Sequence, residues 1–257
     1  MQSYGLVSII TPNWNCGRFI AETIESVLAQ TYTEWELLIQ DDCSTDNSME
    51  VVWEYAKRDA RIKIEVNPKN LGAAITRNHA LARANGRWIA FLDSDDLWTS
   101  DKLEHQLKFM VVRKVAFTYH EYTEIDEQSN GLGVHVSGKA HVGKWGMFAC
   151  CWPGCLSVMY DAKKVGLIQI RDIKNNNDSA MWLKVICKAD CYLLKEQLAR
   201  YRRRKGSITP PGIWARIRWH YVLFREAEQM NPVAAALWMC INVVGNSYKK
   251  IFFVKRL

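Results

Sequence analysis

Residues 88–98 read Trp-Ile-Ala-Phe-Leu-Asp-Ser-Asp-Asp-Leu-Trp, an apolar run that ends in three carboxylates within four positions. A short apolar run bounded by polar residues is typical of a buried strand. In an open α/β sheet, ligands bind beyond the carboxyl ends of the strands, where Asp93, Asp95 and Asp96 would lie. Crowded carboxylates repel one another, and a divalent cation carrying a nucleotide diphosphate would compensate them. The alternative is a solvated acidic turn in which Ser94 and Asp96 cap the next helix.

The first part of the chain alternates between two hydrophobic periodicities. Apolar runs predict strands at residues 6–10, 35–40, 62–66 and 88–92, and helical spacing predicts helices at residues 19–30, 46–58, 73–85 and 100–110. This alternation favours parallel strands joined by right-handed crossovers, which gives a layered α/β fold. Ser44 or Thr45 is expected to cap the second helix, and Ser100 the fourth. Gly86 is placed to end the third helix.

A second acidic cluster strengthens the prediction of a ligand site. Asp41 and Asp42 follow the second predicted strand, as the carboxylates after residue 92 follow the fourth. Either cluster alone is a weak signal. Two clusters at equivalent ends of neighbouring strands indicate one binding edge.

The second half of the chain is less regular. Strands are predicted at residues 156–160, 192–194 and 198–201, a helix is predicted to begin at Asp178, and residues 121–144 indicate loops with one hairpin. From Trp214 onward the pattern predicts helix to the end of the chain. No internal repeat or low-complexity linker is present, so we expect one continuous domain with a helical tail.

Charge and cysteine content limit the partners and the compartment. The 257 residues carry a formal net charge of +7, and many cations lie in residues 200–205, 216–225 and 249–256. A basic C-terminal region favours an anionic partner, either phosphate groups or a membrane surface. No DNA- or RNA-binding motif is present, so no nucleic-acid partner is expected. Eight cysteines without zinc spacing and without a signal peptide indicate reduced thiols in a cytosolic protein, and no run of about 18 apolar residues predicts a spanning helix.

Five motifs stand out along the chain: Val7–Asn15 (VSIITPNWN), Ser26–Thr31 (SVLAQT), Asp41–Asp46 (DDCSTD), Asn70–Gly72 with Thr76–Asn78 (NLG and TRN), and Asp93–Asp96 (DSDD). In this order and at these gaps, they resemble the motifs of the inverting nucleotide-sugar glycosyltransferases of family 2. The resemblance is strong over residues 5–110 and looser over residues 155–208, and bacterial enzymes that build O-antigen or capsule repeat units are the most similar. It implies the GT-A fold, a Rossmann-like mixed α/β sheet with a helical C-terminal tail. The implied catalytic domain is 1–210, with a nucleotide-binding half to about residue 112, followed by a helical segment 211–257.

The resemblance implies a pocket for the nucleotide of a UDP-sugar donor. Its implied lining residues are Thr11, Pro12, Trp14, Asp42, Arg77, Asp93 and Ser94. Trp14 would stack on the uracil, a contact that any base face can make. Asp42, together with Asp41, would accept hydrogen bonds from uracil or ribose, and Arg77 would approach the diphosphate. The alternatives are a core aromatic for Trp14, a helix N-cap for Asp42 and a surface salt bridge for Arg77.

The resemblance also implies a metal ligand and a general base. Asp95 would bind Mn²⁺ or Mg²⁺, which neutralises the charge that develops on the departing UDP. Asp178 matches the family's base, although Asn177 replaces the Glu that usually precedes it. A carboxylate facing the acceptor, with the leaving group on the opposite side, gives single displacement with inversion. The alternative for Asp178 is a helix N-cap.

Contacts to the diphosphate or acceptor are implied for four further residues. Arg204 replaces the family's His in Tyr201–Ser207, and Lys205 follows it, so this basic loop would hold product charge. Trp152 and Trp145 fall where the acceptor should lie. The alternatives are a solvated basic loop for the cations and core or interface packing for the tryptophans.

The resemblance therefore implies a metal-dependent, inverting hexosyltransferase. It would move glucose, galactose or N-acetylglucosamine from a UDP-sugar to an undecaprenyl-diphosphate-linked sugar in O-antigen or surface polysaccharide synthesis. The apolar and basic C-terminal region would place it in the cytoplasm, peripherally on the inner face of the bacterial cell membrane. The alternative is that the helix of this region packs on the domain itself or on a second subunit, which would give a homodimer. A sugar nucleotidyltransferase and a non-catalytic sugar- or lipid-binding protein of the same fold remain as other functions.

Overall fold

A computed structural model describes residues 2–204 and 212–256. The strands in these residues are β1 (Val7–Asn13), β2 (Trp35–Asp41), β3 (Ile62–Val66), β4 (Trp88–Phe91), β5 (Leu97–Trp98), β6 (Phe117–Ile125), β7 (Gly131–Val136), β8 (His141–Val142), β9 (Met159–Asp161), β10 (Cys191–Arg202) and β11 (Val254–Arg256). The α-helices are α1 (Ile20–Leu28), α2 (Ser48–Arg58), α3 (Ala73–Ala82), α4 (Lys102–Arg113), α5 (Lys144–Ala149), α6 (Ala162–Val165), α7 (Asn177–Val185), α8 (Ile213–Val222) and α9 (Pro232–Phe252). A 3₁₀ turn (Cys155–Ser157) and a π-helical segment (Leu223–Ala227) complete them.

The parallel half of the sheet follows the sequence prediction. Its order is β4-β1-β2-β3, and all three pairings are parallel. β1, β2 and β4 are almost wholly buried, because helices cover both faces of the sheet. Burial on both faces explains why these strands are continuous apolar runs rather than alternating ones.

The other half of the sheet is antiparallel or mixed. β9 pairs antiparallel with β4 and β6, and β10 pairs parallel with β6. The hairpin predicted within residues 121–144 is confirmed as β6 and β7. Two predictions were too coarse: residues 156–160 divide into the 3₁₀ turn and β9, and the two short strands at 192–201 are one strand, β10. Register shifts on either side of Gln197 break the alternation inside β10, so its two ends looked separate.

Helix boundaries differ from the predictions for identifiable reasons. Ser44 caps no helix, because its hydroxyl donates to Asp41 Oδ1 at 2.6 Å, and α2 begins only at Ser48. α3 ends at Ala82, before the expected stop at Gly86. Gly86 instead allows close backbone contact, since a Cβ there would lie 2.6 Å from Ser8 N.

The C-terminal region is helical, as predicted, but the chain leaves the helix after Phe252. β11 then pairs antiparallel with β7, so the prediction of helix to the end was wrong. α9 begins with Pro232 after Asn231, whose side chain accepts a hydrogen bond from Ala234 N. Phe224, Ala235 and Phe253 join the same hydrophobic cluster as the sheet residues Ile10 and Phe91. In the part of the chain that the structure describes, no helix is both long enough and apolar enough to cross a bilayer.

Candidate active site

The two acidic clusters flank the tip of β1. β2, which ends at Asp41, lies on one side of β1, and β4, which precedes Asp93, lies on the other. The clusters therefore follow strands separated by β1 rather than adjacent strands, which corrects the expectation from the sequence. β1 lies at the centre of the binding edge.

Two buried polar atoms at the tip of β1 have no hydrogen-bond partner among the residues that the structure describes. They are the hydroxyl oxygen Thr11 Oγ1 and the amide oxygen Asn13 Oδ1. Asn13 Nδ2 donates to Asp41 Oδ1 at 2.7 Å, which fixes the orientation of the amide. Buried polar groups are rarely left unpaired, so these atoms indicate a ligand. Pro12 is half-buried, and Trp14 is 50% exposed, so an indole face is open to a base.

Asp42 organises the loop that leads into α3. Its carboxylate accepts hydrogen bonds from Leu71 N at 2.7 Å, Gly72 N at 2.8 Å and Asn67 Nδ2 at 2.9 Å. The residue is 3% exposed. A contact to uracil or ribose, as the sequence suggested, would have to share oxygens that already hold this loop. The structure thus shows Asp42 as the anchor that sets the start of α3.

Arg77, on α3, joins the two halves of the molecule. Its guanidinium donates to Asp93 Oδ1 at 2.8 Å and, through Nη1, to Asn177 Oδ1 at the start of α7. Arg77 is 4% exposed, and no acceptor for its Nε lies within residues 2–204 and 212–256. The same guanidinium therefore donates hydrogen bonds to both Asn177 and Asp93. The sequence marked Asn177 only as a departure from the family pattern and gave no sign of this bridge across 100 residues.

The end of β10 and the residues just after it contact the acidic cluster that follows β4. Arg204 Nε forms an ion pair with Asp95 Oδ2, and Arg202 N donates to Asp96 Oδ1 at 2.8 Å. Burial raises the pKa of Asp95, and the Arg204 charge opposes that rise. Burial, together with the charges of Asp95 and Asp93, raises the pKa of Asp96 well above its usual range. Arg204 thus holds one oxygen of the carboxylate that was expected to bind metal.

In the described part of the chain, protein groups alone do not form a complete metal site. In residues 2–204 and 212–256 no cluster of three or more His, Cys, Asp or Glu side chains could hold an ion. Asp93 and Asp95 still offer hard oxygens at the cleft, because their side chains are 32% and 19% exposed. These residues fit a cation that takes its remaining ligands from phosphate oxygens and water. Ser94 is buried beside them.

Comparison with known proteins decides the family. The family model described as "Glycosyl transferase family 2" matches residues 8–140. The chain is 37% identical over 246 residues to the "Putative teichuronic acid biosynthesis glycosyltransferase TuaG" of Bacillus subtilis, covering 95% of this chain and 97% of that protein. It is 40% identical over 263 residues to the "UDP-Glc:alpha-D-GlcNAc-diphosphoundecaprenol beta-1,3-glucosyltransferase WfgD" of Escherichia coli, covering 97% of each. The chain belongs to glycosyl transferase family 2.

The fold of this family 2 glycosyltransferase also has counterparts among solved structures. The crystal structure of S. aureus TarS 1-349 in complex with UDP-GlcNAc superposes with a TM-score of 0.72 at 18% identity, covering 96% of this chain and 74% of that one. At this identity the similarity shows the fold, which is GT-A as the resemblance implied.

In this glycosyltransferase the candidate base opens α7. Asp178 lies in the first turn of the helix, and its Oδ1 accepts Ser179 N at 2.7 Å. Among the described residues no group donates to its Oδ2. Burial raises the pKa of Asp178, and the nearby Arg77 charge opposes that rise. A carboxylate with one free oxygen and raised basicity can accept a proton at neutral pH.

The tryptophans of the acceptor half are placed differently from one another. Trp152 is 3% exposed, its Nε1 donates to Gly146 O at 3.2 Å, and its ring packs edge-on against Phe253. This placement fits core packing and leaves no face for a sugar. Trp145 is 63% exposed and stacks on Trp238. Lys205 lies outside the described residues.

Proposed function

We propose that this family 2 glycosyltransferase moves a hexose from a UDP-sugar to a lipid-diphosphate-linked sugar, with inversion, in surface polysaccharide synthesis. The observation that supports this proposal best is the pair of hydrogen bonds made by Arg77. Arg77 donates to Asp93, at the nucleotide edge, and to Asn177, at the start of the helix that bears Asp178. Arg77 would thus position both Asp93, on the donor side, and Asp178, the base on the acceptor side. Two relatives support the pathway: WfgD is named for a UDP-Glc donor and a diphosphoundecaprenol acceptor, and TuaG for teichuronic acid biosynthesis.

On the donor side, the UDP would lie along the tip of β1. Its base would stack on the exposed Trp14, and its polar groups would satisfy Thr11 Oγ1 and Asn13 Oδ1. A Mn²⁺ or Mg²⁺ ion would be held by Asp95, assisted by Asp93. The ion, when bound, neutralises the charge on the leaving diphosphate. Arg204 would then release Asp95 and turn toward the phosphates, where its charge assists departure of UDP.

On the acceptor side, Asp178 would act as the general base. Its Oδ2 takes the proton of the acceptor hydroxyl as that oxygen forms a bond to the anomeric carbon and the bond from that carbon to the UDP oxygen breaks. Attack from the face opposite the leaving group inverts the anomeric centre. The Arg77 charge favours the ionised form of Asp178, because it opposes the rise in pKa that burial causes.

The test is release of UDP from UDP-glucose, UDP-galactose and UDP-N-acetylglucosamine with a synthetic lipid-diphosphate acceptor. We expect one donor to react and Asp178→Asn to lower turnover by about 10²-fold or more without weakening UDP binding. Asp172→Asn is the matched control, because Asp172 is exposed in the segment before α7. Turnover of Asp178→Asn equal to that of the control would show that the base lies elsewhere. Failure of every donor would refute the proposed reaction.

A further inference from the structure

One face of α9 is apolar and open to solvent. Its exposed side chains follow a spacing of four, four, three, four and three residues, which keeps them on one side of the helix. They are Val233, Leu237, Ile241, Val244, Tyr248 and Ile251, with exposures from 37% to 81%. We name this face the α9 stripe. The 21 residues of α9 span about 30 Å, and the helix contains no Asp or Glu. A contiguous apolar surface of this length marks an interaction site.

The opposite face of α9 is fixed to the body of the protein, so the helix cannot turn to bury the stripe. Ala235 and Asn242 are buried, and Asn242 Nδ2 donates to Phe148 O at 2.7 Å. Lys249 Nζ donates to Trp152 O at 2.7 Å. Gly245 lies so close to α5 that a Cβ there would come within 2.0 Å of Ala149 O. The stripe is therefore a permanent surface feature.

Unpaired cations lie at the C-terminal end of the stripe. Lys139, Lys195 and Lys255, with Phe252 and Phe253, line a cavity of about 550 Å³. We name it the lysine pocket. Within residues 2–204 and 212–256 none of the three lysines forms an ion pair.

The pocket and the stripe form one surface. Lys139 Nζ lies 6.0 Å from the ring centroid of Tyr248, which belongs to the stripe. Tyr248 in turn contacts Phe252 at the mouth of the pocket, with ring centroids 4.7 Å apart. The carboxylate at the pocket, Glu121, already accepts hydrogen bonds from Ser137 and contacts His135 at 3.0 Å. One carboxylate offsets only part of the charge of three lysines, so the pocket keeps a net positive charge.

We propose that the α9 stripe and the lysine pocket dock this enzyme on an anionic phospholipid surface. The stripe lies in the bilayer interface, and the three lysines contact lipid phosphates. Charge complementarity selects this occupant over a second copy of the chain, because a second copy would bring the same unpaired cations to the contact.

This docking deepens the proposed function, which requires a lipid-linked acceptor. Lys249, on the side of α9 away from the stripe, donates to Cys151 O and Trp152 O, and its charge acts on Asp178. A helix with its side chains is about 10 Å thick. The membrane surface would thus lie roughly one helix diameter from the segment beside the base, within reach of a sugar on a lipid diphosphate.

The experiment is co-sedimentation of the full chain with vesicles of phosphatidylcholine alone or mixed with phosphatidylglycerol. We expect binding to the mixed vesicles that weakens with salt. Leu237→Glu combined with Val244→Glu should lower the partition coefficient at least tenfold. Lys139→Glu combined with Lys255→Glu should lower it by about fivefold per lysine, and on the mixed vesicles only. Val112→Glu is the matched control, because Val112 is 71% exposed on α4, far along the chain from α9.

The outcomes separate the docking from its alternatives. Absence of binding by the wild-type chain, or equal binding by the stripe variant and the control, would overturn the proposal. A dimer by light scattering that the stripe variant dissociates would assign the face to a second copy instead. Transfer to a short-chain, water-soluble acceptor should be the same in the stripe variant and the wild type. Vesicle binding without any UDP release would refute the proposed function and leave the docking intact.

Discussion

Replacing Arg77 with Met tests whether this residue holds the two halves of the site together. The change removes a 4% exposed cation from Asp93 and from Asn177. Breaking a buried ion pair costs about 3–5 kcal/mol, and the partial exposure of Asp93 favours the lower end, about 3 kcal/mol. In a chain of this size that corresponds to a fall in Tm of roughly 6–12 °C. The fall in Tm is measured by circular dichroism during heating.

Arg83→Met is the control for this experiment. Arg83 follows the last residue of α3, and it pairs with the exposed Glu65 at 3.2 Å and donates to Gln40 Oε1 at 2.9 Å. A more exposed pair of this kind contributes about 1 kcal/mol or less. A fall in Tm no larger than that of Arg83→Met would refute the bridging role of Arg77.

The same variant has a predicted effect on the pH profile. Burial raises the pKa of Asp178, and Arg77 opposes the rise, so loss of Arg77 should raise that pKa further. A general base works when deprotonated, so the acid limb of kcat/KM should move to higher pH. Arg77→Lys, which keeps the charge, should restore most of the acid limb but not the full Tm. An acid limb that does not shift would contradict the effect of the Arg77 charge on the pKa of Asp178.

Three further predictions concern other parts of the molecule. Asp95→Ala should nearly abolish metal-stimulated UDP release, measured by titration with Mn²⁺, and unchanged turnover would refute the metal assignment. Trp14→Ala should weaken UDP binding in calorimetry by about 5- to 150-fold, the range for loss of one base stack, with little change in Tm because the side chain is 50% exposed. Gly245→Ala should lower stability by about 1–3 kcal/mol because its Cβ would collide with Ala149 O, whereas Gly131→Ala, with open space around it, should not; equal thermal stability of both variants would contradict the packing of α9.

The sequence was sufficient for the parallel half of the fold. Strands such as β1 and β2 are buried on both faces, and the helices between them are amphipathic, so local periodicity identifies both. Pairings of distant segments leave no such local pattern. β10 was divided by its own register shifts, and β11 depends on β7, more than 100 residues earlier in the chain.

The sequence predicted which residues form the site but not which of them contact one another. The motifs named Arg77, Asp93 and Asp178, yet only the structure shows Arg77 joining Asp93 to Asn177. The sequence also could not show which of the two tryptophans in the acceptor half is buried. Phe253, which follows α9, packs edge-on against the buried Trp152, whereas Trp145 stacks on Trp238 of α9 and is still 63% exposed.

A crystal structure with UDP and Mn²⁺ bound would show whether the nucleotide lies at the tip of β1 with Asp178 across the cleft from it. We expect the uracil against Trp14, polar atoms of the nucleotide at Thr11 Oγ1 and Asn13 Oδ1, and the ion on Asp95. We also expect Asp178 on the side of the anomeric position opposite the diphosphate. A nucleotide bound away from the tip of β1, or Asp178 on the same side as the leaving group, would contradict these expectations.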